Sequence, residues 1–255
     1  MTPHETKSPI RWKPLRQPGQ SLSEELDRLL RENYASFAFV VAFAVVFIVQ
    51  EWIRWCFDVG PQPLTVTFIS LVMVAFAGWR VVPVLKKVRD VQRGLDGEKA
   101  VGECLEDLRA DDYQVFHDIP GDGFNVDHVL VGPGGVYAIE TKTRWKPARG
   151  ESQVVYDGQK VTVNGFEPER DPVVQVKASA RHIKDVVRQV AGRDLFVQPV
   201  LIFPGWYTRQ PKKPDVWVLN ETALPKWLAN ERQTLDAEAI QNISAGIAMY
   251  VRNSG

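Results

Sequence analysis

Two apolar runs mark the first third of the chain, and strand-like or helix-like alternation marks the rest. Residues 35–49 and 64–79 are stretches of fifteen and sixteen residues without a charge. Each is slightly shorter than the ~20 residues that cross a bilayer at about 1.5 Å per residue. Flanking residues, Asn33, Tyr34 and Gln50 on the first and 61–63 and 80–83 on the second, extend them to spans of about 34–51 and 63–82, so residues 34–83 read as a two-helix transmembrane hairpin. Trp52, Trp55 and Phe57 cluster on the connection, and Tyr34 and Trp79 stand at the opposite ends, as aromatic belts do. The competing reading is a buried hairpin of a soluble core. Two charge-free runs in close succession with aromatic ends fit lipid better.

Upstream, residues 1–33 are polar, carry Pro3, Pro9, Pro14 and Pro18, and read as a cytoplasmic N-terminal segment. Ser21 and Glu24 make a capping-box start for a short amphipathic helix. The first apolar run begins only at Ala35, so the pattern is not that of a secretory signal peptide.

Downstream, a basic juxtamembrane linker, residues 84–93, leads to the boundary Arg93-Gly94-Leu95-Asp96-Gly97. The patterns then predict a helix over 98–109 and strands over 113–119, 125–131 and 135–141. A hairpin turns at Asp157-Gly158, with strands over 154–156 and 160–163. A helix over 172–190 has Val173, Val176, Ala180, Ile183 and Val187 on one face. Strands over 197–203 and 216–219 and C-terminal helices within 222–250 complete an α/β domain spanning 94–255.

Charge sharpens this division. Of 31 Lys/Arg and 31 Asp/Glu in all, residues 1–93 hold 12 and 8, a balance of +4, which leaves 19 and 23, or −4, for 94–255. An acidic domain argues against strong non-specific nucleic-acid binding, which relies on a basic footprint. Arg28 and Arg31 precede the first span and Arg80, Lys86, Lys87, Arg89 and Arg93 follow the second, against Arg54 alone between them. The positive-inside rule therefore predicts both termini and the domain in the cytoplasm of a cell (inner) membrane, with the Trp-rich connection outside. Cys56 and Cys104 lie too far apart and in too different surroundings for a disulfide framework or a cysteine zinc site.

Candidate chemistry centres on Asp127, Glu140 and Lys142. Alternation along a strand points Glu140 and Lys142 to one side with Val136 and Ala138, and Tyr137, Ile139 and Thr141 to the other. Gly132-Pro133-Gly134-Gly135 folds this strand back on the one before, and Asp127 and Glu140, each five residues from that turn, then stand opposite each other. Two carboxylates and an ammonium form a hydrolytic kit. The acids suit a hard cation such as Mg²⁺, which takes oxygen ligands and keeps several waters, and the ammonium suits an attacking water or a crowded phosphoryl group. A Glu-x-Lys pair alone is more often a solvated strand face. Val136 and Ala138 on the same side imply burial, and a buried Glu needs a partner. Glu98, near the start of its predicted helix, serves equally as a favourable charge for the helix dipole. His128 faces away from Asp127 and reads as structural; His117, Asp118 and Asp122 read as peripheral. Trp206 reads as core edge, with base stacking as its alternative, and Lys177 and Arg181 as solvated helix charges with phosphate contact as theirs.

In order, Gly94-Leu95-Asp96-Gly97-Glu98, Val126-Asp127-His128, the run Gly132 to Lys142, and Asp171-Pro172-Val173-Val174-Gln175 resemble the NERD (nuclease-related) domain, itself related to the PD-(D/E)xK nucleases. The resemblance covers roughly residues 93–206; Val126 stands where the wider superfamily has Pro, and the carboxylate is kept. It implies a restriction-endonuclease-like core of helix, three-stranded antiparallel meander, helix and strand. It also implies an active site of Glu98, Asp127, Glu140, Lys142 and Gln175, with Asp127, Glu140 and Glu98 holding Mg²⁺ or Mn²⁺. The expected activity is a membrane-anchored, metal-dependent nuclease acting on nucleic acid, DNA ahead of RNA, with membrane lipid around its two spans. A tethered binding module for nucleic acid or protein, with the same fold and no turnover, is the alternative. It gives no chemical reason to keep all of Asp127, Glu140 and Lys142. An intramembrane transporter would need ionisable residues inside the spans, and the apolar runs 35–49 and 64–79 carry no charge.

Overall fold

The computed structural model describes residues 15–57, 60, 63–146, 152–212 and 214–254. Pro3, Pro9 and Pro14, residues 58, 59, 61 and 62 of the connection, and the side chain of Tyr34 lie outside what is described. The chain divides into two compact units, Leu22–Arg93 and a second made of residues up to Ser21 together with Gly94–Gly255.

The first unit consists of most of helix α1 (Gln20–Cys56) and the first part of helix α2 (Pro63–Glu106). Both helices are long and apolar enough to cross a membrane, and no residue of their most apolar windows is buried. Phe39, Val46, Phe68, Leu71 and Trp79 all point outward. A soluble hairpin that left such a surface in water would forgo about 25 cal/mol for every Å² of it.

α2 does not stop at the boundary that the glycines suggested. It runs unbroken through Gly94 and Gly97 to Glu106 and ends in a short 3-10 helix, Asp107–Asp111. Helix propensity penalises each glycine by about 1 kcal/mol. Here Gly97 has a steric purpose, because a Cβ at that position would collide with Thr143, the residue after Lys142.

The second unit is mixed α/β. Strands β1 (Gln114–Pro120), β2 (Asn125–Gly132) and β3 (Gly135–Thr141) form an antiparallel meander. β6 (Val197–Ile202) joins β3 in parallel and β8 (Trp217–Leu219) joins β6 in parallel, giving the order β1-β2-β3-β6-β8. Helix α3 (Pro172–Ala191), capped by the Asp171 carboxylate on the Val173 amide, packs on one face with helix α5 (Ala237–Ser254). Val101 and Leu105 of α2 and Leu224 and Leu228 of helix α4 (Leu224–Ala229) cover the other face. Between β3 and α3 lie β4 (Gln153–Tyr156) and β5 (Val161–Val163), the hairpin expected at Asp157-Gly158. They form a separate small sheet with β7 (Tyr207–Arg209), a strand too short for its pattern to be read.

Candidate functional site

The meander register decides where the acids go. His128 pairs with Ile139, so one step on, Asp127 stands beside Glu140. Val136 and Ala138 join the core under α3, whereas Tyr137 and Ile139 join the opposite one. Glu140 and Lys142 therefore point toward α3, whose first turns carry Gln175 and Ser179.

These contacts form a closed lattice around Glu140, which is 0% exposed. Its Oε1 accepts from Ser179 Oγ at 2.6 Å. Its Oε2 accepts from Gln175 Nε2 at 2.7 Å and lies 3.3 Å from Lys142 Nζ. Lys142 Nζ also donates to Gln175 Oε1 at 2.8 Å, so Gln175 orients the acid and the ammonium together. The Thr141 amide donates to Asp127 Oδ2 at 2.7 Å. The Lys142 amide donates to the Ile202 carbonyl at 2.8 Å and fixes the end of β3 on β6. Asp127, Glu140, Lys142, Glu98 and Gln175 are thus all brought to one end of the sheet.

The balance of charge there is uneven. Glu98 is buried, and its carboxyl is pushed up to about 8, first by desolvation, then by Asp118 and Glu140, with Lys142 opposing. Asp127 is raised well above the usual carboxylate range by desolvation, then by Glu140 and Glu98, while Lys142 and the Thr141 amide pull it back. Three carboxylates share one ammonium among the described residues, so an added cation would favour their charged forms. Among the described residues, no three His, Cys, Asp or Glu side chains stand close enough to hold a metal by themselves. A Mg²⁺ ion needs only one or two carboxylates and fills its remaining positions with water. The donor set therefore fits such an ion, with Asp127 and Glu140 as its neighbours.

Residues 93–204 match the family model described as nuclease-related domain, NERD. The chain carries a NERD domain. No curated protein and no solved structure matches it.

The structure corrects two peripheral readings near this site. His117 and Asp118 lie in the expected strand, β1, and are buried rather than peripheral. His117 Nδ1 lies 2.9 Å from Nδ1 of the fully buried His128, and its Nε2 lies 2.8 Å from Glu106. Burial pushes both imidazoles below the ordinary histidine range, so this pair serves as a neutral structural link. Asp118, at φ 51°, is held by Arg16 Nε at 2.7 Å, the Ser21 amide at 3.0 Å, Ser21 Oγ at 2.6 Å and Asn125 Nδ2 at 3.0 Å. Residues 15–21 of the polar segment therefore belong to the same compact unit as the strands. Gly19, at φ 68°, packs on Leu95 and Glu98. Trp206 is buried, as its core reading required. Ser179 was missed. Its one signal is its place four residues after Gln175, on the same helix face.

Proposed function

We propose that this protein is a membrane-anchored, Mg²⁺-dependent nuclease whose catalytic domain is a restriction-endonuclease-like fold facing the cytoplasm. The observation that carries the reading is the shortage of positive charge around Glu98, Asp127 and Glu140, three carboxylates gathered on one ammonium inside a nuclease-related domain. The succession of α2, the β1-β2-β3 meander, α3 and then β6 parallel to β3 supports the fold assignment.

A bound divalent ion would neutralise phosphate charge and lower the pKa of a water. Asp127 and Glu140 would hold that ion, with Glu98 as a third carboxyl beside them. Lys142 Nζ, steered by Gln175 and Glu140, aims its protons at the attacking water and at the charge that builds on phosphorus. The water oxygen would bond to phosphorus and shed a proton to solvent, the ester P–O bond would break, and the departing oxygen would leave with a proton taken from solvent. Ser179 and Gln175 keep Glu140 in place throughout. The membrane part of the reading rests on two apolar helices with outward side chains and on the basic flanks Arg28, Arg31 and residues 80–93.

The test uses the full chain in detergent micelles, because residues 15–21 pack on the domain and a 94–255 fragment lacks them. The protein is expected to cleave nucleic acid with Mg²⁺ or Mn²⁺ and to stop in chelator. Asp127→Ala and Glu140→Ala should be inactive while still folded. Activity that persists in both variants or in chelator would overturn the site. For topology, a reporter inserted at Pro61 should read external and one at Gly255 cytoplasmic; both on one side would overturn the hairpin.

A further inference from the structure

The small sheet β4-β5-β7 has one face with a clear structural purpose. Val154, Tyr156 and Val161 point inward and pack with Val173 and Val176 of α3, next to the turn that carries Gln175. The other face is set by register: Gln153 beside Tyr207, and Arg209 beside Val155, itself beside Thr162. Tyr207 is 67% exposed although the core offers apolar space to its neighbour Trp206. Burying a tyrosine ring is worth about 2 kcal/mol or more, so a strand that presents one to water forgoes a large gain.

The segment following Lys142 runs to the same place. Lys146 Nζ donates to the Gly205 carbonyl, two residues before Tyr207. Arg144, Trp145 and Lys146 are all exposed, Trp145 by 74%. None of the three strands contains an acid. The nearby acids are already engaged: Glu221 by the Gly205 amide, Glu167 by Lys160, and Asp215 by Lys177 and Tyr156. The domain carries a balance of −4, yet this patch combines aromatic rings with cations.

We infer that this face is a stacking platform for single-stranded nucleic acid, which Tyr207 and Trp145 grip by the bases and Arg144, Lys146 and Arg209 by the phosphates while the strand runs to Lys142. The assignment rests on the nuclease reading above for the identity of the site at its end. Base faces are open to stacking only in a single strand; in a duplex they are hidden inside the helix.

The experiment measures binding of the full chain, in micelles and excess chelator, to fluorescent dT and rU oligonucleotides and to a duplex of mixed sequence. At least one single strand is expected to bind roughly tenfold or more tightly than the duplex. Tyr207→Ala should weaken it by roughly five- to a hundredfold, the range for losing one stacked base, while Tyr207→Phe keeps it. Arg209→Ala should lower the salt dependence by about one counterion. Equal binding of duplex and single strands, or unchanged binding by Tyr207→Ala together with Trp145→Ala, would overturn the platform. Because chelator removes cleavage from the measurement, the two readings fail separately. Binding as expected with no cleavage in Mg²⁺ leaves the platform and sinks the nuclease. Cleavage of duplex without single-strand preference does the reverse.

Discussion

Asp118 and Asp127 are neighbours across β1 and β2, between the register pairs His117–His128 and Ile119–Val126, yet their surroundings treat them in opposite ways. Asp118 is buried and fully answered: a guanidinium, a backbone amide, a hydroxyl and a side-chain amide all donate to it. Asp127 has one amide donor among the described residues, two further carboxylates for company, and a single shared ammonium. An acid whose charge is cancelled within the chain holds structure together. An acid left short of cations is poised for something the chain does not supply. Four predictions test that contrast.

The largest effect is expected at Lys142. Among the described residues it is the cation that the Glu98, Asp127 and Glu140 cluster shares, and Lys142→Ala should lower kcat by on the order of a thousandfold, about 4 kcal/mol of barrier. Removing the cation should also raise the pKa of Glu98 and Asp127 further, which a titration of chelated protein would read. A variant that cleaves at the parent rate would show that the ammonium serves the fold alone.

The second effect concerns pH. Folded Glu98 keeps its proton up to about 8, whereas its ordinary value is 4.5. Between those two values the unfolded chain has released a proton that the folded one still binds, so unfolding releases it and stability falls as pH rises. The stabilisation is complete below 4.5 and is lost as pH climbs through about 8. In chelator, Tm should therefore decline across this window. Mg²⁺ should restore it at the alkaline end, and Glu98→Gln should flatten the slope. A Tm that rises over the same range would contradict the charge shortage itself.

The third prediction addresses the answered acid. Asp118→Ala removes the acceptor that Arg16 and the Ser21 donors share, and should cost about 3 kcal/mol of stability. Asp118→Asn, which keeps one of the two acceptor oxygens that Ser21 uses, should cost less. In either variant, kcat with saturating Mg²⁺ should change far less than in Lys142→Ala. If Asp118→Ala instead abolished cleavage with Tm unmoved, the two acids would belong to one catalytic set and the contrast would collapse.

How much of this was legible depends on the kind of information involved. Glu140 and Lys142 were readable because alternation along β3 is local, and Asp127 because a Gly-rich turn sets the register by counting. The apolar face of α3 was readable from its helical spacing, and all five of its expected residues are buried. Asp118 was not readable. Its partners Arg16 and Ser21 lie roughly a hundred residues away, across two apolar runs, and nothing in a sequence pattern marks such a pairing. The end of the first apolar hairpin misled for a related reason. Two glycines before Glu98 suggested a break in the helix, but Gly97 is there for contact with Thr143, a packing reason that overrides propensity. β7 failed on length, since three residues cannot establish a period.

The smallest effect should come from Ser179. Its hydroxyl gives Glu140 Oε1 a hydrogen bond of 2.6 Å, and both residues are fully buried. Ser179→Ala leaves that oxygen with no donor in a place water cannot reach, and a bond to a charged acceptor is worth about 2 kcal/mol. The lattice is redundant on its other side, where Gln175 and Lys142 still hold Oε2. The carboxyl should therefore tilt without leaving. A tenfold fall in kcat, with KM unmoved, is the expected outcome, against a larger fall for Gln175→Ala, which frees both Glu140 and Lys142. A Tm loss with kcat intact would mean that Ser179 only satisfies a buried charge, and would move it from the side of Asp127 to the side of Asp118.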